Sequence, residues 1–365
     1  MALKRVGIFG LLLAVIFVIG GCSGENPSKD EEYKQYGSLE PTKIGVVLGS
    51  GENTGGINAA VDAGVKELAV EQSLEYKTMS PGDLVNNAET ISYLAENGYD
   101  IIIAVGQEFE NDLDLAAPQY PDTAFAVVQG EVDQPNVLSM KIDDNEGLFL
   151  AGAAAALLTK TNFVGFVGGE MTGTSQEKAF ARGVHFINLA EGKQVKVISV
   201  FTGMTKQAFI DPQQGKELGQ KLFDAGIDVV FTPAGNFGAG LAGAAAEKKK
   251  IALTNDRQLM EKMPWNVFGA VVQKPENAVY TALAGILENS VLNGKMAYGI
   301  KEGSVDFVLS QAVSLEIKNK LNSIKEQFKN NQINTYTVQI PEGLIIKLNE
   351  FFVNSTNPAV KEIIS

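Results

Sequence analysis

Lys43-Ile-Gly-Val-Val-Leu-Gly49 runs through a helical stretch to Asp62-Ala63-Gly64, and 120 residues later Phe163-Val-Gly-Phe-Val-Gly-Gly169 leads the same way to Ala181-Arg182-Gly183. A second echo follows each. Leu94-Ala-Glu-Asn-Gly-Tyr-Asp100 enters an apolar run ending at Gly106, and Leu222-Phe-Asp-Ala-Gly-Ile-Asp228 enters one ending at Gly235, 128 residues on. Two copies of one strand–helix–strand plan, in the same order, predict two α/β lobes of Rossmann-like design.

The flanking sequence extends this plan. Strand-like runs occur at Ile44–Leu48, Ile101–Val105, Ala124–Val128, Phe163–Val167, Val195–Phe201, Val229–Thr232 and Val267–Val272. Several are apolar at every position, as parallel strands covered on both faces require. Between them, Ile57, Ala60, Val61, Gly64, Val65 and Leu68 recur at helical spacing, as do Leu84, Ala88, Ile91 and Ala95, and later Ile317, Leu321, Ile324 and Phe328. Strands alternating with helices predict a parallel sheet in each lobe. A ligand then belongs between the lobes, outside the carboxyl ends of the strands.

Composition narrows the function. The chain has 365 residues, 45% hydrophobic, with 43 acids against 30 Lys and Arg and a formal charge of −13. That content supports packed domains rather than disorder, and that length favours two of them. A nucleic-acid binder would normally be basic, so no nucleic-acid partner is expected. With one Cys and one His, disulfide scaffolds, Cys-rich metal sites and Cys/His catalysis lack their parts. His185 stands beside the apolar line Phe180, Val184, Ile187 and reads as a boundary residue. A Ser or Thr nucleophile would have no His base. Asp143-Asp144 and Glu146 could be read as a metal cluster, but suit a helix N-terminus better. No enzyme activity, metal or cofactor is expected.

The amino terminus reads as an export signal. Lys4 and Arg5 precede an uncharged stretch from Val6 to Gly21, too short for a comfortable membrane span of about 20 residues. It ends Ile19-Gly20-Gly21-Cys22, like a bacterial lipobox, in which cleavage leaves an acylated Cys22 as the first residue. Cleavage there would remove two cations and no acid, leaving the chain more acidic still. The Leu148–Leu158 run is too short to span a bilayer and reads as a buried helix. Residues 1–21 are therefore assigned to the signal peptide and 22–41 to a flexible tether with an r.m.s. reach of about 24 Å. Lobe 1 is assigned to 42–143, completed by about 274–295, and lobe 2 to 144–273, completed by about 296–340. A C-terminal extension covers 341–365. The expected location is the outer face of the cell membrane, anchored through Cys22.

The loops after the strands carry the candidate site: Gly49–Gly56, Gly106–Asp112, Gly168–Thr174, Thr202–Phe209, Ala234–Gly238 and Thr254–Arg257. Rich in Gly, Asn, Thr and Gln, they suit a neutral, hydroxyl-bearing ligand. Gly106, Gln107, Gly169, Gly235 and Asn236 are placed there. Phe109, Phe209 and Phe237 either stack on a flat ligand or plug a lobe core. Gly49-Ser50-Gly51 is a poor dinucleotide fingerprint, because the sixth position is Thr54 and no acid closes the second strand at Lys77-Thr78-Met79.

These segments resemble the basic membrane protein (BMP/PnrA-like) family of substrate-binding lipoproteins. The likeness is carried by Gly98-Tyr-Asp-Ile-Ile-Ile-Ala-Val-Gly106 and Tyr120-Pro-Asp-Thr-Ala-Phe-Ala-Val-Val128. It continues in Glu146-Gly-Leu-Phe-Leu-Ala-Gly-Ala-Ala-Ala-Ala-Leu157, Val164-Gly-Phe-Val-Gly-Gly169, Asp211-Pro-Gln-Gln-Gly-Lys-Glu217 and Tyr298-Gly-Ile-Lys-Glu-Gly-Ser-Val-Asp306. The resemblance implies a type I periplasmic-binding-protein fold: two Rossmann-like lobes, a hinge of three crossovers and an interlobe cleft. It implies a monomer that captures a purine nucleoside and hands it to an ABC permease driven by a cytoplasmic ATPase. A related nucleobase or small sugar, or ligand sensing without transport, is the alternative.

Residue by residue, the resemblance sandwiches the purine between two aromatics. One matches Phe209 in Ala208-Phe-Ile-Asp211. Where the other would stand, the chain reads Gly56-Ile57-Asn58-Ala59, so Ile57 replaces the ring while Asn58 is kept. The family's acidic pair falls on Asn53 and Thr54. Its ribose-gripping Asp falls on Asn255 in Thr254-Asn-Asp-Arg-Gln258, and its Lys falls on Gln273, with Lys274 adjacent. Scaffold motifs are retained while several ligand contacts are changed.

Overall fold

The computed structural model describes residues 42–50, 55–80, 82–168, 174–202, 210–232, 235–288 and 293–348. The first sheet is built from β1 (Lys43–Val47), β2 (Glu75–Met79), β3 (Ile101–Val105), β4 (Ala124–Val128), β5 (Val137–Ile142) and β11 (Gly294–Tyr298). Its order is β11-β5-β4-β3-β1-β2. The second contains β6 (Phe163–Gly168), β7 (Lys196–Phe201), β8 (Val229–Thr232), β9 (Ile251–Thr254), β10 (Val267–Gln273), β12 (Val305–Leu309) and β13 (Ile345–Leu348), in the order β12-β10-β9-β8-β6-β7-β13. All pairings are parallel except that of β10 with β12. The order β2-β1-β3-β4-β5 of the first sheet is repeated as β7-β6-β8-β9-β10 in the second. The strand order of each sheet therefore reverses between its first and third strands, and that switch point forms the ligand-binding crevice of such folds.

The helices of the first lobe are α1 (Gly55–Gln72), α2 (Asn87–Glu96), α3 (Glu110–Ala116) and α9 (Pro275–Leu287). Those of the second are α4 (Asn145–Leu158), α5 (Thr174–Glu191), α6 (Pro212–Asp224), α7 (Gly235–Lys248), α8 (Arg257–Lys262) and α10 (Leu315–Lys329). The molecule is thus a two-lobed α/β structure with regular strand–helix alternation. β1, β3 and β4 are buried almost throughout, as their apolar runs require. The Ala-rich run is a buried helix, α4. Residues 345–348, within the segment assigned to a C-terminal extension, form a strand beside β7. No helix among the described residues is long and apolar enough to cross a membrane.

The echoes have structural causes. Gly64 lets α1 lie against α9, where a Cβ would meet the Glu276 carbonyl oxygen at 2.4 Å. Gly183 does the same for α5 against α4, where a Cβ would fall 1.9 Å from the Phe149 carbonyl oxygen. In the second echo, Gly98 and Gly226 take the left-handed conformation that turns the chain out of a helix (φ 74° and 92°). The acids two residues later brace the entry to the neighbouring strand. Asp100 accepts the Lys43 amide at 2.9 Å, and Asp228 accepts the Lys160 amide at 2.7 Å together with the Thr159 and Thr161 hydroxyls.

Between the lobes the chain crosses three times: after β5, after β10 and between β11 and β12. The crossings are tied to one another. The Asp143 amide donates to the Tyr298 carbonyl at 3.1 Å and the Lys274 amide to the Ser304 carbonyl at 2.8 Å. The Ile300 amide donates to the Glu146 carboxylate at 2.7 Å. Burial, more than the charges of Glu302 and Asp143, holds the Glu146 carboxyl above its usual range despite that bond.

Candidate functional site: the interlobe cleft

At the rim of the first lobe, the backbone after β1 is fixed by Asn58. Its amide accepts the Gly49 N–H at 3.1 Å and donates to the Gly49 carbonyl at 2.9 Å. Asn58 is therefore a brace for the loop rather than a free ligand contact. Ile57 is half-buried and packs against the core. The Ser50 amide donates to the Glu108 carboxylate at 3.0 Å, linking this loop to the one after β3.

The loops after β3 and β8 share a design. Gly106 (φ 121°) and Gly235 (φ 88°) turn the chain sharply, and a Cβ at Gly106 would collide with the Glu108 carboxylate. Gln107 and Asn236 then stand exposed. Phe109 and Phe237 instead turn inward: they are 0% and 2% exposed and belong to the cores of their lobes. Neither offers a ring face to a ligand. The sequence allowed stacking or plugging at these positions, and the structure places both rings as plugs.

A cavity of about 300 Å³ lies at the crossings, lined by Asp144, Asn255, Arg257, Val271, Val272 and Gln273. Asn255 follows β9 and is exposed, while its neighbour Asp256 caps α8 by accepting the Leu259 amide at 3.0 Å. Gln273 ends β10 and is likewise exposed. Lys274 does not line the cavity; its amide is spent on the crossing described above. Asn53, Gly169 and Phe209 lie outside the described residues.

Asp144 and Arg257 also line the cavity, and no sequence motif marks them as ligand contacts. Asp144 reaches the cavity because α4 begins at the first crossing, and Arg257 because α8 begins just beyond β9. The Asp144 carboxyl is held above the usual 3.8, chiefly by burial and then by the charge of Asp143, against a hydrogen bond from Gln176. Arg257 pairs with Glu261 at 2.8 Å along its helix. Asp143 is taken up separately, by the Tyr336 hydroxyl at 2.7 Å and the Asn145 amide at 2.6 Å. Among the described residues no group of three or more His, Cys, Asp or Glu is arranged to hold a metal ion. The cavity offers neutral amides, one acid and one guanidinium: a set for recognising a polar solute.

Two lobes with a polar cavity at their crossings define a periplasmic-binding-protein-like receptor for a small solute. Residues 42–339 match the family of ABC transporter substrate-binding protein PnrA-like, and the chain belongs to that family. Its general role is that of a solute-binding protein of an ABC importer, not an enzyme. It is 27% identical to the ABC transporter nucleoside-binding protein BmpA of Lactococcus lactis subsp. cremoris over 88% of this chain and 96% of that one. It is 25% identical to basic membrane protein A of Borreliella burgdorferi over 91% and 95%. Among solved structures, the fold is similar to a transcriptional activator of the comK gene from Bacillus halodurans (TM-score 0.61, 19% identity, 82% of this chain and 100% of the other). It is also similar to an ABC transporter solute-binding protein from Aeropyrum pernix K1 (TM-score 0.54, 19% identity, 89% and 98%).

Proposed function

We propose that the chain captures a purine nucleoside in the interlobe cleft and delivers it to an ABC permease, working as a monomer held at the outer face of the membrane through an acylated Cys22. The observation that carries this reading is the cavity at the crossings, where Asn255 and Gln273 meet Asp144. An amide both donates and accepts, whereas an ionised carboxylate only accepts, so the three together suit a ligand with hydroxyls and ring nitrogens. Asp144 supplies the anionic acceptor that Asn255 does not. The L. lactis relative described as nucleoside-binding supports the ligand class.

In this reading lobe 1 runs over about 42–143 and 274–295 and lobe 2 over about 144–273 and 296–340, with the three crossings as the hinge. Gln107 and Asn236 meet the solute from opposite lobes, and Phe209 stacks on the base. Closure about the hinge then presents the loaded form to the permease.

The test is calorimetric titration of the chain beginning after Cys22, unfolded and refolded to strip any carried ligand, against guanosine, adenosine, inosine, uridine, free bases and ribose. Tight binding to a purine nucleoside is expected. Phe209→Ala should weaken it at least tenfold, in line with about 1–3 kcal/mol for one base–aromatic stack. Silence toward every nucleoside from a folded protein would overturn the ligand assignment, and binding to ribose or a free base alone would redirect it to those solutes.

A further inference from the structure

A larger cavity, about 650 Å³, opens at the opposite end of the second sheet. Its walls come from the residues that begin β9 and β10, from the end of α4 and from the start of α10. The cleft lies at the carboxyl ends of the strands, so this is a separate place on the molecule. Its lining combines Trp265, Phe268 and Ile317 with Lys160, Lys249 and Lys250, and contains no acid. In a chain with 43 acids and 30 bases that is an unusual concentration of one charge.

A lysine run at a helix end is ordinarily a solvated cap. Here Lys248 behaves so, pairing with Asp224. Lys249 and Lys250 turn away with the chain, Lys249 in the left-handed conformation (φ 54°), and both line the cavity. Among the described residues neither they nor the Lys160 ammonium has an ion-pair partner. Asp228, next to this wall, is buried and already accepts the Lys160 amide and two threonine hydroxyls.

Trp265 is 68% exposed although it is the only Trp in the chain and one of its largest apolar groups. The backbone around it is pinned. The Asn266 and Val267 amides donate to the Met263 carbonyl at 3.0 and 2.8 Å, the Ala252 amide donates to the Asn266 carbonyl at 2.8 Å, and the Ser310 hydroxyl donates to the Pro264 carbonyl at 2.8 Å. The indole is therefore displayed by a fixed turn. Rigid aromatic and aliphatic walls with a few convergent polar groups are the make-up of a ligand pocket, and the volume falls in the usual range of about 300–1,000 Å³.

We infer that this cavity is a second binding site, for an amphipathic organic anion: a carboxylate or phosphate on a short apolar body. The lysines hold the head and the Trp265–Phe268–Ile317 wall takes the body. Because Trp265 is the sole Trp, its fluorescence reports on this site.

The experiment titrates the folded chain beginning after Cys22 with octyl phosphate, below its micelle concentration, and follows that emission. A saturable change at submillimolar probe is expected, with octanol at least tenfold weaker. The Lys249→Gln/Lys250→Gln double variant should bind octyl phosphate at least tenfold more weakly while its far-UV circular dichroism and melting temperature match the parent. Trp265→Phe, followed by calorimetry, separates loss of signal from loss of binding and should still bind. Equal responses to octanol and octyl phosphate, an unaltered affinity in the lysine variant, or no saturation would overturn the proposal. Co-sedimentation with phosphatidylglycerol vesicles in the absence of any response to the soluble probe would also overturn it, in favour of a membrane-facing patch.

Discussion

Gly183→Ala places a methyl group between α5 and α4, and its consequence can be worked out in advance. The new Cβ would stand 1.9 Å from the Phe149 carbonyl oxygen and 2.8 Å from the Ala153 nitrogen. Both obstacles are helix backbone, so no side chain can swing aside. The helices must part by more than about 1 Å, which strips packing from a seam where Phe149, Ala153 and Phe180 are fully buried. Overpacking of this kind costs about 1–3 kcal/mol, and rigid obstacles put the figure near the upper end. Replacing Gly by Ala inside a helix returns about 1 kcal/mol. The net loss is about 2 kcal/mol, or about 3 °C in Tm for a chain of this size.

Gly243→Ala is the matched control. It lies inside α7 with no atom within 4 Å of the place its Cβ would take, so it should gain up to about 1 kcal/mol. Urea unfolding of both variants, followed by far-UV circular dichroism, gives the comparison. Gly152→Ala meets the Phe180 carbonyl oxygen at 1.9 Å across the same seam. Helices parted by one substitution accommodate the other, so the double variant should lose less than the sum of the two. A Gly183→Ala protein as stable as the parent would refute the close-packing argument.

Three further outcomes are expected. Phe109→Leu and Phe237→Leu should each destabilise by about 1 kcal/mol or more in urea unfolding yet leave ligand affinity in the folded protein within twofold, and a tenfold loss of affinity would restore the stacking role. Asp228→Ala should cost about 1–3 kcal/mol by the same method, because it frees a buried hydroxyl, a part-buried hydroxyl and a part-buried amide at once; a loss below about 0.5 kcal/mol would show the bracing to be idle. Asp144 holds its proton more tightly in the fold than in the unfolded chain, so its ionisation costs stability at neutral pH and that cost is relieved as pH falls through its raised value. A ligand that donates to the carboxylate should correspondingly weaken on acidification before pH 3.8 is reached, and calorimetry of Asp144→Asn should show that dependence flattened.

The repeats carried most of the fold. Asp100 and Asp228 sit at equal places because each ties a neighbouring strand's entry, and Gly64 and Gly183 because each admits a crossover helix. β5, β9 and β11 were harder to see. β5 carries Ser139 and Lys141, β9 is only four residues long, and β11 is an edge strand whose first four residues are exposed. The cleft was half legible. Gln107, Asn236 and Asn255 follow strands, Gln273 ends one, and all four are exposed, as the rule of strand carboxyl ends predicts. Whether a Phe at such a junction turns in or out depends on packing beneath it, which no local pattern records, and so Phe109 and Phe237 could be read both ways. The Trp265 cavity had no linear signature, since its walls come from segments about 150 residues apart in the chain.

The crossings also govern how the chain can be made. The first sheet is not complete until β11, at Gly294–Tyr298, has joined β5, and α1 cannot be covered until Pro275–Leu287 exists. The second sheet in turn waits for β12 and β13. Neither half can mature while the ribosome is still midway through the message, so the nascent polypeptide stays open over most of its synthesis. Such late closure means that a premature stop before Gly294 spoils both halves rather than sparing the first.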